Sequence, residues 1–306
     1  MDDRTYLQIL ARLAKLGVET QLDTSFAALT TLGVGGKIKI AAFPDTARKL
    51  VNTMRLLSKF NVKVYVLGRG SNVLASDGDF DGVVVVTTKL KGAKIRGKYA
   101  YALSGTSTVA LAKQLAEKGL TGCEFLACLP ATIGGAVVGN AGCFGQDVQS
   151  VLAGVTVLKN GKLRKLSARK CKLSKRNSLF KQNQAYTVVA VKLKLGKSTK
   201  EQVEQRIVHM RQEKARTQPL DYRSAGCVLY HDTVALSKLI DQAGLKGYSI
   251  GGAGVSTKHA GFVLNIDKAT ALDIYLVVQH IEQTLWQSYG VVAKREIRLV
   301  NFDEPS

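Results

Sequence analysis

The chain has 306 residues, 46% of them apolar, only four prolines and a formal net charge of +21, enough for two domains with a sizeable core and not the make-up of a disordered chain. No apolar run approaches the ~18 residues of a membrane span, and Met1-Asp2-Asp3-Arg4 lacks the basic-then-apolar build of a signal peptide. Five scattered cysteines without a CxxC pair argue against a disulfide framework or zinc site and for a reducing cytoplasm, and four histidines without metal spacing argue for no metal.

Thr5 to Leu16 has helical apolar spacing, with Gly17 as its C-cap. Lys37 to Phe43 alternates like a strand, Thr46 to Phe60 reads as a helix, and Val62 to Val66 as a buried strand. That strand runs into Leu67-Gly68-Arg69-Gly70-Ser71-Asn72. Glycines there let the backbone approach a ligand closely, and successive N–H groups in such a turn make a nest for an anion, typically a phosphate. An ordinary tight turn is the competing reading. A P-loop would end in Gly-Lys-Ser/Thr, and a Rossmann turn would need a third glycine before a helix with an acid roughly 20 residues on. Here Val73 and another strand-like run, Gly82 to Thr88, follow instead.

Tyr99 to Leu103 is a short strand, and Thr108 to Lys118 a helix capped by Ser107 or Thr108 and stopped by Gly119. A second glycine-rich stretch runs from Pro130 through Thr132-Ile133-Gly134-Gly135 and Asn140-Ala141-Gly142 to Gly145. Two such loops could enclose one extended anionic cofactor. Val151 to Leu195 is β-rich with a hairpin turn at Asn160-Gly161. Lys159 to Lys181 holds ten Lys/Arg and no acid. One aromatic, Phe180, gives no stacking platform for a single strand, so a solvated hairpin is favoured, with attraction of small anions next and a nucleic-acid partner disfavoured. After a linker-like break at 196–198, Glu201 to Arg216, Thr233 to Gln242 and Ala269 to Tyr289 read as helices, and Val291 to Val300 as a closing strand. The irregular mixture favours an α+β fold, divided into 1–196 and 197–306.

Several motifs in order resemble the UDP-N-acetylenolpyruvoylglucosamine reductase (MurB) family, shorter class, from about Thr30 to Val300. They are Thr30-Thr31-Leu32-Gly33-Val34-Gly35-Gly36, the Gly68 to Asn72 turn, Pro130 to Gly145, Ser224-Ala225-Gly226-Cys227, and Val255-Ser256-Thr257-Lys258-His259-Ala260-Gly261-Phe262-Val263-Leu264-Asn265. The resemblance implies a two-lobed FAD-binding domain of the vanillyl-alcohol-oxidase type and a C-terminal substrate-binding domain. It implies that NADPH reduces FAD, and that hydride then passes to the enolpyruvyl ether of UDP-N-acetylglucosamine, giving UDP-N-acetylmuramate for peptidoglycan. It places FAD against Gly68, Arg69, Gly70, Ser71, Asn72, Pro130, Thr132, Ile133, Gly134, Gly135, Asn140, Ala141, Gly142 and His259.

Hydride addition makes an enolate-like centre beside a carboxylate, which calls for positive charge already facing it and a positioned acid. The resemblance gives these roles to Arg176, whose guanidinium can grip a carboxylate bidentately, and to Cys227, a thiol able to supply a proton. Glu296 would polarise the intermediate or the acid. Without the resemblance, Arg176 is one basic residue among ten, Cys227 a small buried hydrophobe, Glu296 a surface ion-pair partner, and His259 a satisfied histidine. The chain departs from the family's pattern at Ala131, at Lys175, and at Tyr230-His231-Asp232, where Lys and Asn normally meet the diphosphate. Tyr230, His231 and Arg223 are left to bind it, while Asp232 would repel it. The alternative is a divergent FAD-binding protein with another substrate or none.

Overall fold

Local signals place the first helix. Asp2 accepts the N–H of Thr5 at 2.9 Å, the helix runs Asp3–Lys15, and Gly17 leaves it at φ +63° in the computed structural model, which describes residues 1–302. Ser107 and Thr270 likewise cap the helices Thr108–Ala116 and Ala271–Tyr289. At Thr270 the cap is reciprocal: Thr270 Oγ1 accepts the N–H of Asp273 at 3.0 Å, and Asp273 accepts the N–H of Thr270 at 2.9 Å.

The described chain divides into two compact units. The first comprises Met1–Leu22, Ile40–Arg69 and Asp81–Lys214. Its antiparallel five-stranded sheet has the order Lys162–Ser167, Leu152–Lys159, Tyr186–Lys194, Tyr99–Leu103, Ala93–Arg96. The expected hairpin closes it, with Lys159 opposite Lys162 and left-handed Asn160 and Gly161 between them. Its outer strand is exposed at nearly every residue, so the lysines and arginines there are solvated. Leu111, Leu115, Phe125, Ile133 and Val137 fill the core beneath this sheet. A second sheet path runs Glu19–Gln21, Lys37–Phe43, Phe80–Val86, Lys63–Leu67, the last two parallel. The run 196–198 is not a free linker, because Gly196–Lys197 pairs with Leu120–Thr121.

The second unit comprises Asp23–Lys39, Gly70–Phe80 and the chain from Ala215 on. Its sheet has the order Arg223–Cys227, Phe262–Asn265, Ala253–Val255, Ser249–Ile250. Helix Ala271–Tyr289 packs on it and buries Ile274, Val277, Val278, Ile281 and Leu285. Each such side chain contributes roughly 1.5–3 kcal/mol by leaving water. Two expectations are corrected here. Helix Leu236–Gln242 starts three residues later than expected, because His231 Nδ1 accepts the N–H of Thr233 and of Val234 and turns the chain. The closing strand is two short ones, Lys294–Arg295 and Arg298–Val300, each with a different partner.

Candidate active site

In the first unit the two glycine-rich stretches meet. A Cβ on Gly68 would lie 2.6 Å from Thr132 Oγ1, and one on Gly134 would lie 2.7 Å from the Ser104 side chain. Thr132 caps the short helix Ile133–Val138 by accepting the N–H of Gly135, and Gly134 donates to the Ser104 carbonyl at 2.8 Å. Backbone can come this close only where no side chain intervenes. Pro130 and Gly135 are exposed, and the motif's departure at Ala131 falls at a half-buried position.

Asn140 organises the far end of this stretch. It is 1% exposed, its amide donates to Asp147 Oδ2 at 3.0 Å and to the Ser174 carbonyl at 2.9 Å, and its Oδ1 accepts the N–H of Gln149. Ser178 Oγ donates to the Val138 carbonyl. Both ends of the turn Ser174–Ser178 are therefore tied to the glycine-rich stretch. At its tip Arg176 adopts φ +54°, a left-handed state that costs a non-glycine residue about 1 kcal/mol or more. Its Nη2 donates to the Gly142 carbonyl at 3.0 Å, and its own carbonyl accepts from Lys181 Nζ. The strain is held by a framework that overdetermines it.

In the second unit Gly70 turns at φ +66° with its Cα packed on the chain at Leu29–Thr30, where a Cβ would come within 2.3 Å of the Leu29 carbonyl. Among the described residues, no protein group accepts the N–H of Arg69, Gly70 or Ser71. Asn72 spans its neighbours: Nδ2 donates to the Glu296 carbonyl at 3.0 Å, and its carbonyl accepts the N–H of Arg298. The Asn72 Oδ1 is buried without a protein partner, as is Ser104 Oγ in the first unit. Unpaired N–H groups, close backbone approach and orphaned buried oxygens are what a dinucleotide with a hydrogen-bonding ring would satisfy. The residues present fit FAD.

Cys227 and Glu296 lie on adjoining segments. The carbonyl of Val228, the residue after Cys227, accepts the N–H of Glu296 at 2.9 Å and of Ile297 at 3.3 Å. Cys227 pairs with Phe262, and both Cys227 Sγ and the His259 ring lie within 3.2 Å of where a Cβ on Gly261 would sit. His259 accepts the N–H of Gly261 on Nδ1 and meets Phe262 edge-on. Burial holds its pKa below the ordinary imidazole value, so the ring stays neutral. Thr31 Oγ1 donates to the Ser224 carbonyl at 2.7 Å, which ties the Thr30–Gly36 motif to the Cys227 strand. The Arg223 side chain lies against Gly33.

The expected repulsion at Asp232 is offset, because Lys294 forms an ion pair with it and the carboxylate raises the Lys294 pKa. Lys294 also stands over the Tyr230 ring. His231 uses Nδ1 on its own turn, so only Nε2 remains to meet a ligand. Arg176 belongs to the first unit; Cys227, Glu296, His259, Arg223, Tyr230 and His231 belong to the second. Sequence reasoning missed Ser104 and Ser174, which act through their backbone carbonyls, and Ser178, which acts through its hydroxyl, and no residue pattern marks them.

Comparison with known proteins bears on the whole chain. A family model described as FAD binding domain matches residues 38–167, and one described as UDP-N-acetylenolpyruvoylglucosamine reductase, C-terminal domain, matches residues 218–300. The UDP-N-acetylenolpyruvoylglucosamine reductase of Halalkalibacterium halodurans is 34% identical over 297 residues, covering 96% of this chain and 98% of that one. That of Caldanaerobacter subterraneus is 34% identical over 273 residues, covering 89% and 90%. The crystal structure of the Thermus caldophilus enzyme superposes with a TM-score of 0.78 at 27% identity, covering 92% of this chain and 98% of that one.

Proposed function

This chain belongs to the UDP-N-acetylenolpyruvoylglucosamine reductase family, and from that premise we propose that it reduces UDP-N-acetylglucosamine enolpyruvate to UDP-N-acetylmuramate for peptidoglycan synthesis. It is an FAD-dependent oxidoreductase that uses NADPH. FAD, when bound, would supply the hydride-transfer chemistry between NADPH and the enolpyruvyl substrate.

The chain's own residues hold the rest of the chemistry. Arg69, Gly70 and Ser71, through their N–H groups, and Thr132, Gly134 and Gly135 would hold the cofactor's pyrophosphate, and Asn72 Oδ1 would accept from its ring system. Arg176 grips the substrate carboxylate and offsets the negative charge that builds as hydride arrives. Cys227 delivers a proton from Sγ to the carbon next to that carboxylate, and Glu296 orients and polarises the exchange. Arg223, Tyr230 and His231 Nε2 bind the diphosphate. Five free cysteines fit a cytoplasmic setting, and no helix among the described residues is long and apolar enough to cross a membrane.

The observation that carries this reading is the shared Val228 carbonyl, which keeps Cys227 and Glu296 on adjoining segments. The test separates the half-reactions anaerobically. NADPH should bleach the yellow protein, and the enolpyruvyl nucleotide sugar should restore the colour. Cys227→Ala should slow restoration by about 10²–10⁴-fold while leaving bleaching intact, and Cys227→Ser should keep much of the rate. Restoration unaltered in Cys227→Ala would remove Cys227 as the acid. A flavin that bleaches but never reoxidises would assign the protein another substrate.

A further inference from the structure

The open face of the antiparallel five-stranded sheet carries a pattern that no single stretch of the chain displays. In strand Tyr99–Leu103, Ala100 and Ala102 point into the core and are 0% and 1% exposed, so Tyr99 and Tyr101 point the other way, and Tyr101 is 42% exposed. Each tyrosine has a cation on either side of it in the sheet. Lys192 and Lys94 are paired with Tyr101, and Lys194 and Arg96 with Tyr99. Lys94, Arg96 and Lys194 are exposed, while Lys192 Nζ stands 4.3 Å from the Tyr99 ring centroid and 5.3 Å from that of Tyr101. Further across the same face lie Thr156, Lys165 and Ser167, since Val155, Val157 and Leu166 take the core side. The five strands together hold eight Lys/Arg and no acid.

The cationic run Lys159 to Lys181 has no stacking platform of its own, and folding supplies one from a distant strand. Two rings roughly 7 Å apart along one strand offer a π-face to each of two successive bases. The cations on both sides stand where the phosphates joining such bases would run. A base arriving on either ring displaces the Lys192 ammonium, which exchanges its cation–π contact for a phosphate. A duplex keeps its base faces inside the stack and could use only the cations. The hydroxyls of Thr156 and Ser167 add groups able to meet a ribose 2′-hydroxyl.

We propose that this sheet face binds single-stranded RNA, with one base stacked on Tyr99, the next on Tyr101, and the backbone held by Lys94, Arg96, Lys192 and Lys194. An acidic polypeptide would be drawn by the same charge, but two ring faces in succession would add little to its binding. The surface is built wholly from strands of the first unit. It uses no residue assigned to FAD, to hydride transfer or to the nucleotide sugar, so RNA binding stands apart from the reduction.

The test is the fluorescence anisotropy of a labelled oligouridylate of about twelve nucleotides, titrated with the full chain loaded with FAD so that the dinucleotide site is filled. Affinity should fall with salt at a log–log slope of about −2 to −3, as expected for about four phosphate contacts on a single strand. Tyr101→Ala should weaken binding about 5- to 100-fold with the slope unchanged, whereas Tyr101→Phe, which keeps the ring face, should bind as the parent does. Lys94→Gln combined with Arg96→Gln should make the slope shallower by about 1.4. Flavin content and NADPH-driven bleaching should be unaltered in Tyr101→Ala, which shows that the variant is folded. Absence of binding at low salt would overturn the proposal, as would equal affinity for the deoxy strand of the same base sequence. Binding unaltered in Tyr101→Ala and displaced by oligoglutamate would overturn it too, and would name an acidic polypeptide as the occupant.

Discussion

Asn140 shows how much a single side chain can hold. Placed by its motif as a cofactor contact, it spends its amide on Asp147, Ser174 and Gln149 and is almost wholly buried. Its backbone sits at φ +42°, a left-handed state that asparagine tolerates better than alanine. Asn140→Ala should therefore destabilise the protein by on the order of 2–3 kcal/mol, since removal leaves buried groups unpaired and adds backbone strain. Urea unfolding followed by fluorescence would measure it. A change below about 0.5 kcal/mol would mean that the glycine-rich stretch is held by other contacts. Because Asn140 also bonds the turn that carries Arg176, the variant should slow flavin reoxidation more than NADPH-driven bleaching.

At the scale of elements, Glu124 joins three of them. It is 3% exposed, accepts from Thr121 Oγ1 and the Gly122 N–H at 2.7 Å each, and pairs with Arg206 of helix Lys200–Thr217 at 2.9 Å. Burial would raise its pKa, but the bonds from Thr121, its own backbone, Arg206 and Gly122 together bring it below the ordinary value of 4.5. The sign follows from linkage. A depressed carboxyl stabilises the fold above its unfolded pKa, and that contribution fades as pH falls through the folded value. Glu124→Gln should cost about 1–3 kcal/mol at neutral pH and give a shallower loss of stability below about pH 4.5. Thermal melts of both proteins between neutral pH and pH 3 would show it, and parallel curves would show that the carboxylate is unimportant.

Across the whole molecule the dominant quantity is the charge of +21. Its densest run is the solvated edge hairpin, where Lys162, Arg164 and Lys165 lie on an exposed strand. NADPH and the nucleotide sugar are anions, so long-range attraction should speed their capture. The association rate of NADPH with the oxidised protein should fall several-fold over about a tenfold rise in ionic strength. A stopped-flow series in potassium chloride would measure this, and a flat series would mean that the surplus charge plays no part in capture.

Much of the fold was legible because its signals are local. Caps at Asp2, Ser107 and Thr270, the Asn160-Gly161 turn and the apolar spacing of the helices act within a few residues, so each can be read from its own window. The glycine-rich turns were legible for a similar reason, since the need for glycine at Gly70 and Gly134 is a property of backbone geometry there. Other features depended on partners far along the chain. Glu296 interrupts the final strand because Val228 and Asn72 claim its backbone, and Asp232 is matched by Lys294 rather than left to repel an anion. The hairpin at Gly142–Cys143 packs on the 3-10 turn Glu124–Cys128 across the whole glycine-rich stretch, a contact that exists only in the folded chain. Sequence by itself determined the elements and the chemistry on offer, since short-range sterics and hydrogen bonding select them. Tertiary structure alone decided which groups face each other, because charge pairing, hydrogen bonding and strain act over a few ångströms and take no account of distance along the chain.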